Sequence, residues 1–437
     1  MSEQDFLLPG YYKLITAYLS PYGTTDRVDI SPIIHKMSIE ESIENDSIRG
    51  YVSVADGVGL LEKLPLRGQE RLFIEVEDIL KNKKTFDLFV YKIENVVTKE
   101  ANDILFYDMV FVSYMRWNAG FRKIIEPFDR SIRETATQIF KNYYSPFTKE
   151  FKTDVTDGSF ACIIPNLTPP QALKFLANRA YNSISPSCSF RFFENSEAFY
   201  FVPDEWLIAE AVSTNNIKEF TYIPYSNPMD ISTTNNKTSF DLEAQMRNLI
   251  ELNNTDRINT IADLSSGAYR NNPIVIDFVN KTVTDNRYSY ETSKAEFASL
   301  NFGNKNIEDT HDNAFINRIF TDENEKRYLV FKDYQSLGDL PTTIRSEQFL
   351  PQIISRKTTY RYLLYRNRIY VKANGRLDLK AGDVIKLKIP EMSSNGNKTE
   401  FDSKLSGNYL VHDCTHVFDK EVYEVSMMLT KFDWREN

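Results

Sequence analysis

Two stretches at opposite ends of this 437-residue chain follow one course, and that repetition constrains the fold more than any single motif. Near the N-terminus, Leu66-Arg67-Gly68-Gln69-Glu70 leads into LFIEV, then FDLFVYKIENVV, then ILFYDMVFVS. Near the C-terminus, Lys380-Ala381-Gly382-Asp383 leads into VIKLKI, then NYLVHDCTHVF, then VYEVSMMLTKF. Each segment alternates apolar and polar residues: Tyr423, Val425, Met427 and Leu429 stand against Glu424, Ser426 and Thr430. Alternation of period two, bounded by Gly and Asn/Asp clusters, marks half-buried antiparallel strands. The glycine leads the final strand by a similar distance in both, Gly68 to Tyr107 and Gly382 to Tyr423. Alternation is common enough for two meanders to look alike by chance. The other reading is one chain with two copies of a barrel domain, so that a trimer presents six similar units around an axis.

Between these ends the periodicity changes. Residues 1–118 read as a first β-barrel domain, with Ile33, Met37, Ile39 and Ile43 lining one face of a strand and Gly50 to Asp56 answering it. Residues 119–215 read as an α+β domain with two helices and a hairpin. Ser131 and Glu134 form a capping box ahead of Ile132, Ala136, Ile139, Phe140 and Tyr143, and Thr168 precedes Pro169-Pro170 at the start of the second helix. The hairpin runs from Cys188 to Val202 across Glu194-Asn195-Ser196-Glu197. Residues 216–253 and 344–437 read as a second, discontinuous barrel domain. It includes a strand at 219–225, a helix from Ser239 with Leu242, Met246, Leu249 and Ile250 on one face, and a helix over 351–366. Residues 254–343 are polar and Asn-rich, and read as an inserted β-rich domain with short strands at 274–279, 315–320 and 328–331. The fold class is therefore mainly β with α+β parts.

Composition narrows the function classes. Hydrophobic residues make up 42% of the chain, enough for real cores, and 30 Phe with 25 Tyr lean towards β structure and wide packing surfaces. A formal net charge of −9 argues against a surface that grips nucleic acid by counterion release. The three cysteines, Cys162, Cys188 and Cys414, are too far apart to write a disulfide framework or a CxxC metal site, and read as buried small hydrophobes. MSEQDFLLPGYY lacks the basic and apolar regions of a signal peptide, and no apolar run reaches the eighteen or so residues of a membrane span. A chain folded in a reducing cytoplasm is expected, with Asn280-Lys281-Thr282 a chance sequon.

No catalytic, cofactor-binding or metal-ligating residue stands out. His412 and His416 are spaced as on metal-binding helices, but on a strand four residues span about 13 Å, too far for two zinc bonds of about 2.1 Å. No nucleophile elbow, HExxH, Walker or dinucleotide-binding pattern appears. The acidic run Glu40-Glu41 with Glu44 reads as a solvated face. The densest basic cluster is Arg356, Lys357, Arg361, Arg366 and Arg368, interleaved with Tyr360, Tyr362 and Tyr365. It reads either as a solvated helix face or as a subunit or partner contact, for which Arg and Tyr are suited; DNA binding there is the weaker reading. The candidate interface is thus Arg356, Lys357, Arg361, Tyr365, Arg366 and Arg368.

Several segments in order resemble the central baseplate hub proteins of contractile-tailed, T-even-like bacteriophages, which are related to the hub part of secretion-system spike proteins. They are Ser47 to Asp56, Leu61 to Leu66, Gly68-Gln69-Glu70, Tyr107 to Ser113, Ile164 to Pro169, the Phe190 to Phe201 hairpin, Leu379 to Pro390 and Gly407 to Val417. The resemblance covers most of the chain and is least in 254–343. It implies a homotrimeric ring with two tail-tube-like barrels per subunit, joining a sixfold tail tube to a threefold spike, with a lumen that passes DNA without specific binding. The implied partners are a spike or lysozyme-bearing protein, tail tube initiator proteins, a tape measure protein and baseplate wedge proteins. No cofactor or enzyme activity is implied, and the place is the virion tail baseplate. The rival readings are a peptidoglycan-degrading tail enzyme, which needs a cleft with a perturbed carboxylate, and the base of a non-viral contractile secretion spike.

Overall fold

The fold was obtained as a computed structural model. The structure describes residues 9–21, 23–24, 26–63, 66–99, 104–145, 148–185, 187–222, 242–254, 260–278, 281–293, 326–331, 349–364, 368–390, 401–402, 405–420 and 422–432. The N-terminal meander comprises β1 (Tyr12–Ser20), β2 (Val28–Asp29), β3 (Ile34–Ser42), β4 (Arg49–Asp56), β5 (Glu70–Asp78), β6 (Lys83–Lys99) and β7 (Ile104–Ser113). A middle region follows with β8 (Pro127–Arg130), β9 (Glu150–Thr153), β10 (Phe160–Ile163), β11 (Arg191–Glu194) and β12 (Ala198–Val202). Then come β13 (Lys218–Thr221) and β14 (Leu249–Asn254), and a small sheet of β15 (Arg270–Asp277), β16 (Thr282–Asp285), β17 (Tyr288–Ser289) and β18 (Lys326–Phe331). The C-terminal meander closes the chain with β19 (Arg368–Asn374), β20 (Val384–Lys388), β21 (Gly407–Asp419) and β22 (Val422–Phe432).

The ladders of the two ends repeat. The N-terminal strands pair in the order β3-β4-β7-β6-β5, and the C-terminal strands in the order β14-β19-β22-β21-β20. The correspondence holds residue by residue. Val52 lies between Met37 and Met109, as Val371 lies between Leu252 and Met427. Some irregularities coincide too: β3 and β14 each step register after their first residue, and β6 and β21 each step between a valine and the residue two later, Val90/Lys92 and Val411/Asp413, though β6 alone steps again between Glu94 and Val97. The repeat departs at its margin, where β1 pairs with β5 antiparallel but β13 pairs with β20 parallel.

The two meanders hydrogen-bond directly. In its first part β21 pairs with β20, from Gly407 to Leu410; past the step at His412 it pairs instead with β3, Asp413 to Asp419 facing Ser42 to Lys36. A bulge bends a strand and ends its pairing, which is how one strand serves two partners along one edge. Thirteen strands thereby form one curled sheet. Its buried face, with Val52, Val54, Ile74, Val76, Val371, Val425 and Leu429, belongs to a single apolar cluster drawn from both chain ends. Each such side chain contributes about 1.5–3 kcal/mol on full burial.

The middle region holds its capping box as read: the Ser131 Oγ accepts from the Glu134 N–H and Glu134 reaches back to the Ser131 N–H. The hairpin pairs β11 with β12, and β9 adds parallel to β12. Two helices join those expected, Tyr114–Gly120 and Asp204–Ser213. The expected helix from Ser239 is short, Leu242–Met246; Leu249 and Ile250 belong to β14, because pairing with β19 takes precedence over helical spacing. Ser239 and the strand expected at 315–320 lie outside the described residues. The helix expected over 351–366 spans Leu350–Thr359 and widens into a π turn at Tyr360–Leu364.

Candidate functional site: the seam, the polar face and the basic helix

Buried carboxylates fasten the seam. Glu41, on β3, is wholly buried, and its oxygens accept from the Ser196 N–H at 3.0 Å and the Ala381 N–H at 3.2 Å. One side chain thus ties together the N-terminal meander, the β11–β12 hairpin and the C-terminal meander. This corrects its reading as part of a solvated acidic face: isolated backbone N–H groups need an acceptor once buried. Glu194 accepts from Ser113 Oγ at 2.8 Å, Lys149 Nζ at 2.6 Å and the Ile48 N–H at 3.3 Å. Burial pushes its carboxyl pKa up, against the pull of Lys149 and Ser113. Arg191 clasps Asp204 through two bonds of 2.7 and 3.1 Å, and reaches Glu44 at 3.2 Å. The Tyr360 hydroxyl donates to Asp204 at 2.6 Å, so the basic helix is anchored to the same network.

Glu194 and Glu205 carry raised pKa values, the mark of a candidate general acid. Both are aimed at the chain's own donors: Glu205 accepts from the Ser187 N–H at 2.8 Å and Ser187 Oγ at 2.7 Å. They act as structural acceptors rather than as a pair facing a substrate.

The opposite face of the large sheet is polar and self-neutralised. Cross-strand ion pairs join Arg49 to Glu40 at 2.8 Å, Arg71 to Asp87 at 2.6 Å and Lys372 to Glu424 at 2.7 Å, and within β6 Lys92 meets Glu94. Asp108 accepts from Ser53 Oγ at 2.5 Å and Asn95 Nδ2 at 2.7 Å. Pairs across a ladder hold charge at short range and leave little free potential at longer range.

The structure divides the basic cluster. Lys357 and Arg361, four apart on the helix, line a cleft of about 630 Å³ together with Lys326, Asn178 and Tyr362. No carboxylate lines it among the described residues. Burial lowers the Lys357 pKa to about 8, helped by Arg191 and Arg361; its Nζ donates to Asn178 Oδ1 at 2.7 Å. Arg356 turns instead to the Tyr181 hydroxyl at 3.4 Å. Arg368 opens β19 and does not line the cleft. Tyr360 is buried, not a surface aromatic, and Tyr365 and Arg366 lie outside the described residues.

The histidines have separate partners. His416 Nδ1 lies 2.7 Å from the Tyr423 hydroxyl, and burial, with Lys84 nearby, lowers its pKa to about 3. His412 sits at the seam, 3.3 Å from Glu44 and 2.9 Å from Asp413. Burial pulls the His412 imidazole down, but these two carboxylates outweigh it and hold the pKa above its ordinary value. The hydrogen bond from His412 in turn keeps the Glu44 carboxyl well below the usual range. Cys162, Cys188 and Cys414 are buried thiols, none in a disulfide. Among the described residues no three His, Cys, Asp or Glu side chains are grouped to hold a metal, and no helix is long and apolar enough to cross a membrane.

No family model and no curated protein matches the chain. Solved structures do. A tail protein from Neisseria meningitidis MC58 matches with a TM-score of 0.51 at 8% identity, over 96% of this chain and 97% of its own. The 43 kDa tail protein of prophage MuSo2 from Shewanella oneidensis matches with a TM-score of 0.52 at 8% identity, over 95% of this chain and 98% of its own. A chain of a PdpA–VgrG complex matches at 12% identity, over 100% of this chain and 68% of its own, with a TM-score of 0.48 that adds nothing to the comparison. The chain has the fold of phage tail proteins.

Proposed function

We propose that this chain is a structural, non-enzymatic component of a phage tail: the central hub of a baseplate, a homotrimeric ring between a sixfold tail tube and a threefold spike. The observation that carries the reading is the repeated strand order, β3-β4-β7-β6-β5 and β14-β19-β22-β21-β20. Three chains that each hold two copies of one sheet offer six near-equivalent units, which reconciles the two symmetries by geometry alone. Residues 1–118 serve as the first unit and 216–253 with 344–437 as the second, with 119–215 and the inserted 254–343 outside the ring wall. The polar sheet face, its charges consumed in cross-strand pairs, is the wall that DNA passes without being held. The basic helix around Arg356, Lys357 and Arg361, with Tyr365, Arg366 and Arg368 following in sequence, is the contact for a partner. The partners are a spike or lysozyme-bearing protein, tube initiator proteins, a tape measure protein and wedge proteins, in the virion baseplate.

Solution mass tests the reading. Light scattering on the purified chain, alone and with its spike, is expected to give three copies. A stable monomer that digests cell walls would sink it.

A further inference from the structure

Three positive side chains meet at the cleft beside the basic helix, and no carboxylate among the described residues meets them there. The Ser355 hydroxyl, on that helix, donates to Asn271 Oδ1 at 2.5 Å, and the Thr359 hydroxyl donates to the Ala268 carbonyl at 2.7 Å. Asn271 is also the partner of Lys326 in the β15–β18 ladder, so one residue brings Lys326 to the cleft that Lys357 and Arg361 line. A Cβ at Gly267, whose φ is 75°, would lie 2.4 Å from Lys326 Cβ; the glycine lets β18 close on the end of the helix Thr260–Ser266. Three helices bring their carbonyl ends here, at Asn178, at Ser265 and Ser266, and at Thr358. Carbonyl ends attract cations. They do not use these cations up: among the described residues neither Lys326 nor Arg361 makes a hydrogen bond or an ion pair.

We propose that this cleft takes an acidic segment of a partner protein, its Asp or Glu carboxylates seated on Lys326, Lys357 and Arg361. The cations are separate single charges on a strand and a helix, which suits separate carboxylates better than one compact phosphoryl dianion. A phosphate site draws on backbone N–H groups at a helix N-terminus, whereas carbonyl ends surround this one. Lys357 and Arg361 stand about one turn apart, a Cβ spacing of about 5–6 Å, and the Arg fork donates two parallel bonds to a carboxylate. A volume of about 630 Å³ lies within the range of a pocket that encloses a ligand. Around Lys357 the charged groups are Arg191 and Arg361, with Asp204 and the Cys188 thiol. Asp204 is already held by Arg191 and Tyr360. Lys357 is thus charged at neutral pH and short of an anion.

This inference rests on the partner contact proposed for the basic helix and is tested apart from it. A short labelled peptide of Asp and Glu is titrated with the full chain and followed by fluorescence anisotropy, beside its Asn/Gln counterpart. The acidic peptide is expected to bind and the amide peptide not to. Lys357→Gln and Arg361→Gln are each expected to weaken binding about tenfold, and Lys326→Gln about threefold. Lys141→Gln, at an exposed place on the helix Ile132–Tyr143, is expected to leave it unchanged. Wild-type binding is expected to fall above about pH 8 as Lys357 loses its proton, and Lys357→Arg to keep it. Binding that is equal in all variants, or that pyrophosphate or a thymidine oligonucleotide displaces more readily than free acidic peptide does, overturns the proposal. If no acidic peptide binds, yet Lys357→Gln with Arg361→Gln prevents assembly with the spike, the acidic segment falls and the helix contact stands. If that double variant also assembles normally, both fall.

Discussion

The two meanders share one ladder but are not finished alike. Where the N-terminal copy places Asp56, which accepts from the Val58 and Leu61 N–H groups at 3.1 and 3.0 Å, the C-terminal copy places Gly375. A Cβ at Gly375 would lie 2.1 Å from the Tyr423 ring, so the glycine exists to let that ring lie across the strand end. The link from β3 to β4 is a short turn, whereas the link from β14 to β19 carries the whole insert and the basic helix. The C-terminal core joins His416, Tyr423 and Cys414 in one polar set, where the N-terminal meander sets Tyr107 against Asp56 at 3.5 Å and buries Glu70 and Asp78 separately. What the difference teaches is that ladder order is the part the two copies keep, and that strand ends, links and core polarity were free to diverge.

Four experiments break or sharpen this comparison. The largest effect is expected from Glu41→Ala, which leaves two buried N–H groups unpaired at the junction of both meanders. A loss of about 4 kcal/mol in denaturant unfolding is expected, and a change under 1 kcal/mol would mean the meanders do not depend on this clamp. Next comes Gly375→Ala, expected to cost about 3 kcal/mol by overpacking against Tyr423; rescue by Tyr423→Leu in the same protein would locate the strain. Third is the buried imidazole. Because the folded pKa of His416 is depressed to about 3, its stability is present above the ordinary imidazole value and is lost as pH falls. Between pH 6.5 and pH 4 the wild type should therefore lose roughly 3 kcal/mol more than His416→Asn, and parallel pH profiles would refute it.

The smallest effect concerns the two glycines ahead of β5 and β20. Gly68 and Gly382 have φ of 71° and 90°, the left-handed region that disfavours a Cβ. Alanine at either is expected to cost roughly 1 kcal/mol. By the ladder, though, Gly382 stands at the place of Gln69, one position after Gly68. Similar costs at both would show that the turn, not the register, is what the copies share.

Much of the fold was legible in the sequence because its signals are local. Period-two alternation marks β4, β5, β19 and β22, and Ser131 with Glu134 marks a helix start, since both depend on neighbours a few residues apart. Likewise the repeat was visible, as each copy writes its own alternation. The helix Asp204–Ser213 escaped because its apolar residues, Trp206, Leu207, Ile208 and Ala211, do not form a narrow stripe. Of the candidate interface, the spacing of Lys357 and Arg361 was readable, but not that Arg356 turns to Tyr181 or that Tyr360 is buried on Asp204.

By itself the sequence determined the strand pattern, the duplication and the acidic, membrane-span-free composition, because alternation and charge are properties of short windows. Only the tertiary structure decided that the two copies join edge to edge and that Glu41 is a buried acceptor for Ala381 across 340 residues. Such facts depend on which strand lies beside which. Pairing over hundreds of residues is settled by a bulge and a few buried hydrogen bonds that leave no periodic trace in the chain.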